Sequence, residues 1–155
     1  MISLRPLSKA EFETYLEGAI QDYAQEHVTA GNWQAAEALD RARQEFQQLL
    51  PDGVASQNQH LFTVLNEAAE PVGMIWFAVQ GTPPSAFIYD FRIHDQFQRR
   101  GYGQQAMTAI EARVKELGLA RIGLHVFGHN HAARALYEKM GYQVTNVLME
   151  KKICA

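Results

Sequence analysis

Residues 98–103 read Gln98-Arg99-Arg100-Gly101-Tyr102-Gly103 and stand between two different hydrophobic periods. Before them Phe87, Tyr89, Phe91 and Ile93 alternate, as along a strand. After them, from Gln104 onward, Met107, Ile110, Val114 and Leu117 return every three or four residues, as on one face of a helix that stops at Gly118. A strand that feeds a glycine turn opening a helix is suited to hold phosphate. Gly101 and Gly103 let backbone N–H groups approach closely, the helix start adds partial positive charge, and Arg99 and Arg100 add full charges beside it. The stretch therefore predicts a phosphate-bearing, anionic ligand.

Working back toward the N-terminus, Leu61–Asn66, Val72–Gln80 and Ala86–His94 read as three strands joined by short turns, an antiparallel meander. Ahead of it lie a short strand, Ile2–Pro6, and two helices. Ser8 with Glu11 makes a capping box for the first, whose Phe12, Tyr15, Leu16, Ala19, Ile20 and Tyr23 form an apolar stripe ended near Gly31. The second runs from about Trp33 to Leu50 with Ala35, Leu39, Ala42, Phe46 and Leu49 as its stripe, before Pro51, Asp52 and Gly53 break it. Working forward, Arg121–Phe127 alternates again and is expected parallel to the strand before the helix. Asn130 caps a short helix bearing Ala133, Leu136, Tyr137 and Met140, and Gly141 ends it. Tyr142–Ile153 is expected to close the sheet.

The 155 residues, 47% of them apolar, suit one α/β (α+β) domain spanning 1–155, with no repeat or linker. The one cysteine, Cys154, has no intramolecular partner, and the Met1–Phe12 start has no apolar signal core, so a cytoplasmic address is expected. Val72–Val79 is too short to span a bilayer. Nothing points to membrane or nucleic acid. No His, Cys or Asp spacing suggests zinc, and no metal is assigned. Charge is uneven: residues 1–90 carry 4 Lys/Arg against 12 Asp/Glu, and residues 91–155 carry 10 against 5. Such a split fits an anion held by the basic half and a cation approached by the acidic half; it fits solvated helix faces equally well.

Gln98-Arg99-Arg100-Gly101-Tyr102-Gly103 resembles the Gln/Arg-x-x-Gly-x-Gly/Ala motif of the GCN5-related N-acetyltransferase family. A second family signature is matched by Asn130, Ala133, Leu136, Tyr137, Glu138, Lys139, Gly141 and Tyr142. The order of elements is similar over essentially the whole chain; Asp95 stands where many members have proline. The resemblance implies a mixed, mostly antiparallel sheet of about six to seven strands flanked by four helices, with a splayed parallel pair holding the cofactor. It implies acetyl-coenzyme A as donor, a small-molecule or peptide amine as acceptor, direct attack in a ternary complex, and a possible homodimer.

By the same resemblance the pyrophosphate rests on Gln98, Arg99, Arg100, Gly101, Tyr102, Gly103 and Gln104. The pantetheine arm pairs with Phe91, Arg92 and Ile93, and Asn130, Ala133 and Tyr137 complete the cofactor site. Tyr137 corresponds to the family's proton donor to the departing thiolate, a task that suits a phenol. For the base, Asp90 interrupts an apolar run on a strand face with Ile88 and Arg92, and either holds a water or pairs with Arg92. His125 on the next strand is the alternative. The acceptor is expected near Glu11, Glu13, Glu17, Asp22, Glu26, Tyr15, Tyr23, His27 and Trp33.

Two other readings remain. Gly101–Ala106 also fits the dinucleotide fingerprint G-x-G-x-x-G/A of an oxidoreductase, but seven residues separate Ile93 from the first glycine and Arg121–Phe127 carries no acidic residue for a ribose. A non-catalytic acyl-coenzyme A sensor would share the same fold.

Overall fold

The meander supplies the frame. In the computed structural model, which describes residues 1–154, β2 (Gln59–Leu65), β3 (Pro71–Gln80) and β4 (Ser85–Ile93) pair antiparallel in sequence. β1 (Ser3–Pro6) adds to β2, and β5 (Ile122–Leu124) lies parallel to β4, giving the order β1-β2-β3-β4-β5. The helices are α1 (Lys9–Thr29), α2 (Ala35–Leu49), α3 (Tyr102–Glu116) and α4 (His131–Lys139).

Alternation along β3 explains why both faces are covered. Ile75 and Phe77 point to one side, with Phe62, Val64, Val72 and Ile88, and meet Ala106, Met107, Ile110 and Val114 of α3. Met74 and Trp76 point to the other, with Leu61, and meet Phe12, Ala19, Ile20, Ala38, Ala42 and Phe46 of α1 and α2. A strand buried on both faces needs the near-continuous apolar run Val72–Val79. Each of the large side chains buried from α3 contributes about 1.5–3 kcal/mol.

Local signals mostly hold. The Ser8–Glu11 capping box is complete, and Asn130 accepts from the Ala133 N–H at 3.2 Å. α2 is rotated from the expected stripe: Ala38, Ala42 and Phe46 are buried while Leu39 lies open. Its start is set by the Gln34–Glu37 box, two residues after the expected one. Leu117 likewise lies open, and Tyr102 and Ala106 take its place in the core.

Two departures matter for the site. First, β4 carries a bulge. Trp76 pairs with Asp90 but Phe77 pairs with Ile88, so Tyr89 is an extra residue. Asp90 therefore does not share a face with Ile88 as strict alternation predicts; Tyr89, Asp90 and Arg92 all turn toward α1. A bulge bends its strand and raises its twist. Second, the strand expected at Arg121–Phe127 pairs only as Ile122–Leu124, and the closing strand expected at Tyr142–Ile153 is not formed. The sheet has five strands rather than six or seven. A strand exists only where a neighbour satisfies its backbone, and beyond β5 this single chain offers none.

Candidate active site

The last β4–β5 pair is Ile88 with Leu124, one residue before the bulge. From there β4 runs on to Ile93 without a parallel neighbour, while His125, Val126 and Phe127 leave the sheet. The gap is the wall of a cleft of about 1150 Å³, which Asp22, Tyr23, Glu26 and Glu45 close from the helix side and Asn130, Ala133 and Tyr137 from the other. The strands part earlier than the expected points, Ile93 and Val126, because the bulge bends β4 away at Tyr89.

Gln98 lines the cleft and leads into the glycine turn, whose residues Arg99 to Gln104 lie just beyond the lining. Arg99 and Gly101 both have positive φ, 63° and 80°, and Gly101 caps α3 without any side-chain acceptor. The first amides of a helix have no intrahelical partner, so the turn presents them, with the helix dipole behind, to an anion. Gly103 faces α4, where a β-carbon would stand 3.4 Å from Leu136 Cδ2, an ordinary contact. Gln98 braces the turn, its Nε2 donating to the Ile93 carbonyl at 2.9 Å and to Asp95 at 3.4 Å. The Arg100 guanidinium lies 5.5 Å from the centre of the Phe97 ring.

In the middle of the cleft Asp90 is held from two sides. The Tyr15 hydroxyl donates to Oδ2 at 2.5 Å, and Arg92 donates to Oδ2 at 3.0 Å and to Oδ1 at 3.4 Å. Arg92 also donates to Asp22 on α1 at 2.7 Å. Burial opposes the Arg92 charge, but Asp90, Tyr15 and Asp22 outweigh it and hold the guanidinium protonated beyond its usual range. Burial, and next the Asp90 charge, push the Tyr15 phenol well above the ordinary value. Arg92→Ala leaves Asp90 half-buried without its cation. Because both groups keep some solvent, the expected loss is about 1–2 kcal/mol, read as a melting temperature lower by roughly 3–6 °C.

Tyr137 faces the cleft from α4. Its pKa is pushed up to about 12, first by burial and then by the Asp90 carboxylate. Other tyrosines here are committed, Tyr15 to Asp90, Tyr89 to Gln80 and Tyr142 to Glu111. Among the described residues the Tyr137 hydroxyl has no such partner, which leaves its proton available.

The far end is aromatic and acidic. His27 stacks on Trp33 at 3.9 Å and meets Phe127 edge-on at 4.9 Å; His129 Nε2 lies 2.6 Å from Glu26 Oε2. His125 packs edge-on against Phe127. Of the acidic residues expected here, Asp22 and Glu26 line the cleft. Glu11 instead completes its helix cap and pairs with Arg5, and Glu17 pairs with Arg43; neither Glu13 nor Trp33 reaches the cleft wall. Asp90 does pair with Arg92, one of the two expected alternatives; the sequence reading missed Glu45, His129 and the extension of that pair to Tyr15 and Asp22. Tyr15, Asp22 and Glu26 do recur at spacings of seven and four along α1, the one signal that could have grouped them.

The model of the acetyltransferase (GNAT) family matches residues 15–142, a span from α1 through both motifs. The chain belongs to this family. It is similar to two Bacillus subtilis proteins described as uncharacterized N-acetyltransferases: YdgE, 34% identical over 98% of each chain, and YycN, 37% identical over 98% of this chain and 99% of its own. The crystal structure of YycN covers 100% of both chains at 36% identity and a TM-score of 0.95. An N-acetyltransferase from this family, with no doubly wound sheet, is not a dinucleotide oxidoreductase.

Proposed function

We propose that this N-acetyltransferase uses acetyl-coenzyme A and transfers the acetyl group directly to a primary amine with both substrates bound. The observation that carries the reading is one cleft lined by both an unpaired stretch of β4 and a tyrosine with an uncommitted hydroxyl, with Gln98, the residue that leads into the glycine turn, on its wall. These residues fit the donor. Amides of Arg99 to Gln104 suit its pyrophosphate, Phe91, Arg92 and Ile93 offer the peptide edge for its pantetheine arm, and Asn130 and Ala133 line the opposite wall. When bound, acetyl-coenzyme A supplies an activated acyl group.

The chain supplies the rest. A backbone N–H of the Phe91–Ile93 segment donates to the acyl oxygen as negative charge develops there. Tyr137 gives its proton to the departing thiolate. The attacking nitrogen must be neutral, and for a lysine-like amine that costs about 4–5 kcal/mol at pH 7. Asp90 collects the amine proton through a water, held in place by Tyr15 and Arg92; His125 is further along the same wall. A cationic acceptor suits the Asp22, Glu26 and Glu45 side of the cleft.

Coenzyme A at about a hundred times its Kd should stabilise the protein by about 2.7 kcal/mol, a melting temperature higher by roughly 5–10 °C, whereas NAD should leave it unchanged. Thiol release from acetyl-coenzyme A, screened over amine acceptors, then separates an enzyme from a sensor. No shift with millimolar coenzyme A overturns the cofactor assignment.

A further inference from the structure

The cleft carries more negative charge than its own residues neutralise. Asp22, Glu26, Glu45, Asp90 and Asp95 line it, and among the described lining residues Arg92 is the only lysine or arginine. Arg92 is spent on Asp90 and Asp22, Glu26 lies against His129, and Gln98 donates to Asp95. Glu45 is left over. Its Oε2 is the one buried side-chain oxygen or nitrogen among the described residues without a hydrogen-bond partner. Buried polar atoms are nearly always paired, and a carboxylate oxygen out of water with no donor is costly. Such an atom calls for a donor from outside the chain.

The neighbours of Glu45 decide what kind of donor. Arg41, one turn earlier on α2, is turned away: it donates to Glu37 at 3.3 Å and lies 4.8 Å from the centre of the Trp33 ring. Burial, and next Glu45 itself, push the Tyr23 phenol well above its ordinary value, so it stays neutral. Burial pushes the His27 imidazole down, so it too is neutral at pH 7. No cation of the chain answers this carboxylate. The surroundings are aromatic: Tyr23 meets Phe46 at 5.8 Å, Phe46 meets Trp76 at 5.7 Å, and Trp76 stacks on Tyr89 at 4.9 Å. Ring faces attract an ammonium.

The same rings connect two places in the cleft. Tyr89 precedes Asp90 in the chain and Phe46 follows Glu45, so the run Tyr89, Trp76, Phe46 leads from the proposed base to the orphaned oxygen. Its polar atoms are already used, the Trp76 indole N–H on Gln59 at 2.7 Å and the Tyr89 hydroxyl on Gln80 at 3.0 Å. This part of the wall suits methylene groups and leaves peptide groups without partners.

We infer that the acceptor is an aliphatic diamine, acetylated on one nitrogen beside Asp90 and Tyr137 while its other end, still an ammonium, donates to Glu45 Oε2. This deepens the acetyl transfer proposed above and rests on it. At the reacting end an N–C bond forms to the acyl carbon as the C–S bond breaks. Of the two protons that the reacting ammonium loses, one replaces the proton that Tyr137 gives to sulfur, and the other passes through Asp90 to solvent. The far ammonium keeps its protons throughout; Glu45 sets specificity and touches no reacting atom.

The test compares diamines from diaminobutane to diaminooctane with the monoamine and the amino alcohol of the same chain length, and with a lysine-bearing peptide, by thiol release from acetyl-coenzyme A. With the wild type, kcat/KM for the best diamine should exceed that of its monoamine and amino alcohol by about ten- to a hundredfold, as one hydrogen bond to a charged group allows. Glu45→Gln should abolish that preference, and Glu17→Gln, which removes a charge paired with Arg43 away from the cleft, should keep it. Calorimetry without acetyl-coenzyme A gives a readout independent of turnover: the diamine should bind the wild type more tightly than the monoamine, and Glu45→Gln should lose the difference. A wild type that treats diamine and monoamine alike at every length, an amino alcohol as good as the diamine, a lysine peptide favoured over every diamine, or a preference that survives Glu45→Gln overturns the assignment; the first three need no variant. Absence of thiol release with every amine, together with no stabilisation by coenzyme A, overturns the acetyl transfer instead, and the calorimetric comparison still decides the role of Glu45.

Discussion

Replacing Tyr137 by phenylalanine should lower kcat by about two orders of magnitude and leave coenzyme A binding and the melting temperature nearly unchanged. The split follows from what the hydroxyl does and does not touch. It accepts no structural duty among the described residues, so its removal leaves the ring packed against Tyr142 and costs little stability. The ring stays in the α4 face, so the cleft keeps its shape for the donor. What disappears is the proton, and a thiolate must then leave without an acid, which general acid catalysis typically speeds by 10² to 10⁴. The pH dependence supplies a second check with a definite sign. As the proposed acid Tyr137 would act while protonated, and burial with the Asp90 charge pushes its pKa up to about 12. It therefore stays competent across the whole neutral range, and the wild-type kcat should show no falling alkaline limb from this group until near that value. A fall centred near 10 would mean an unperturbed phenol or a different acid. Unchanged turnover in the phenylalanine variant would take Tyr137 out of the mechanism.

The order of elements was legible because it is written in local signals: the Ser8–Glu11 box, the Asn130 cap, the period of two along β2 to β4 and the glycine turn after it. The glycine turn was legible for the same reason, since Gly101 sits at a helix start whatever surrounds it. The chemistry of the cleft was less so. Asp90 was singled out by breaking an apolar run, but its face was read from strict alternation, and the bulge at Tyr89 reverses that face. A bulge is an accommodation between two strands and leaves no mark on either sequence alone. Its consequence, the meeting of Asp90 and Arg92 with Tyr15 and Asp22 some 70 residues earlier in the chain, could not be read from spacing. α2 slipped for a related reason: with Ala35, Ala38 and Ala42 all small, two stripes were equally apolar, and the sheet chose between them. The closing strand failed in the other direction. Tyr142–Ile153 alternates as a strand does, but alternation does not supply a neighbour for the backbone, and among the described residues no sixth strand forms.

The largest effect on stability should come from a residue that touches no ligand. Gly73→Ala is expected to destabilise the fold by about 2–3 kcal/mol or more, a melting temperature lower by roughly 5–10 °C, and to weaken coenzyme A binding at the same time. Gly73 pairs with Ile93 across β3 and β4. A β-carbon at 73 would overlap the Arg92 carbonyl oxygen and stand 3.0 Å from Ile93 Cδ1 and 3.1 Å from Ile93 Cα. Two of those three neighbours are backbone, so no rotamer change relieves the contact; β4 itself must move. The backbone of Gly73 is otherwise ordinary for a strand, with φ outside the left-handed region, so the penalty is one of space and not of conformation. The segment displaced is the one proposed to pair with the pantetheine arm, and Gln98 ties the same Ile93 carbonyl to the glycine turn. A shift of β4 at this point therefore reaches both halves of the donor site. Gly123→Ala is the control: on the neighbouring strand β5 the added carbon meets only Phe87 Cδ2 at 3.8 Å, an ordinary contact, and binding should survive. Equal losses in the two variants would show that any side chain in the sheet disturbs the site, and would remove the special role of the close approach at Gly73.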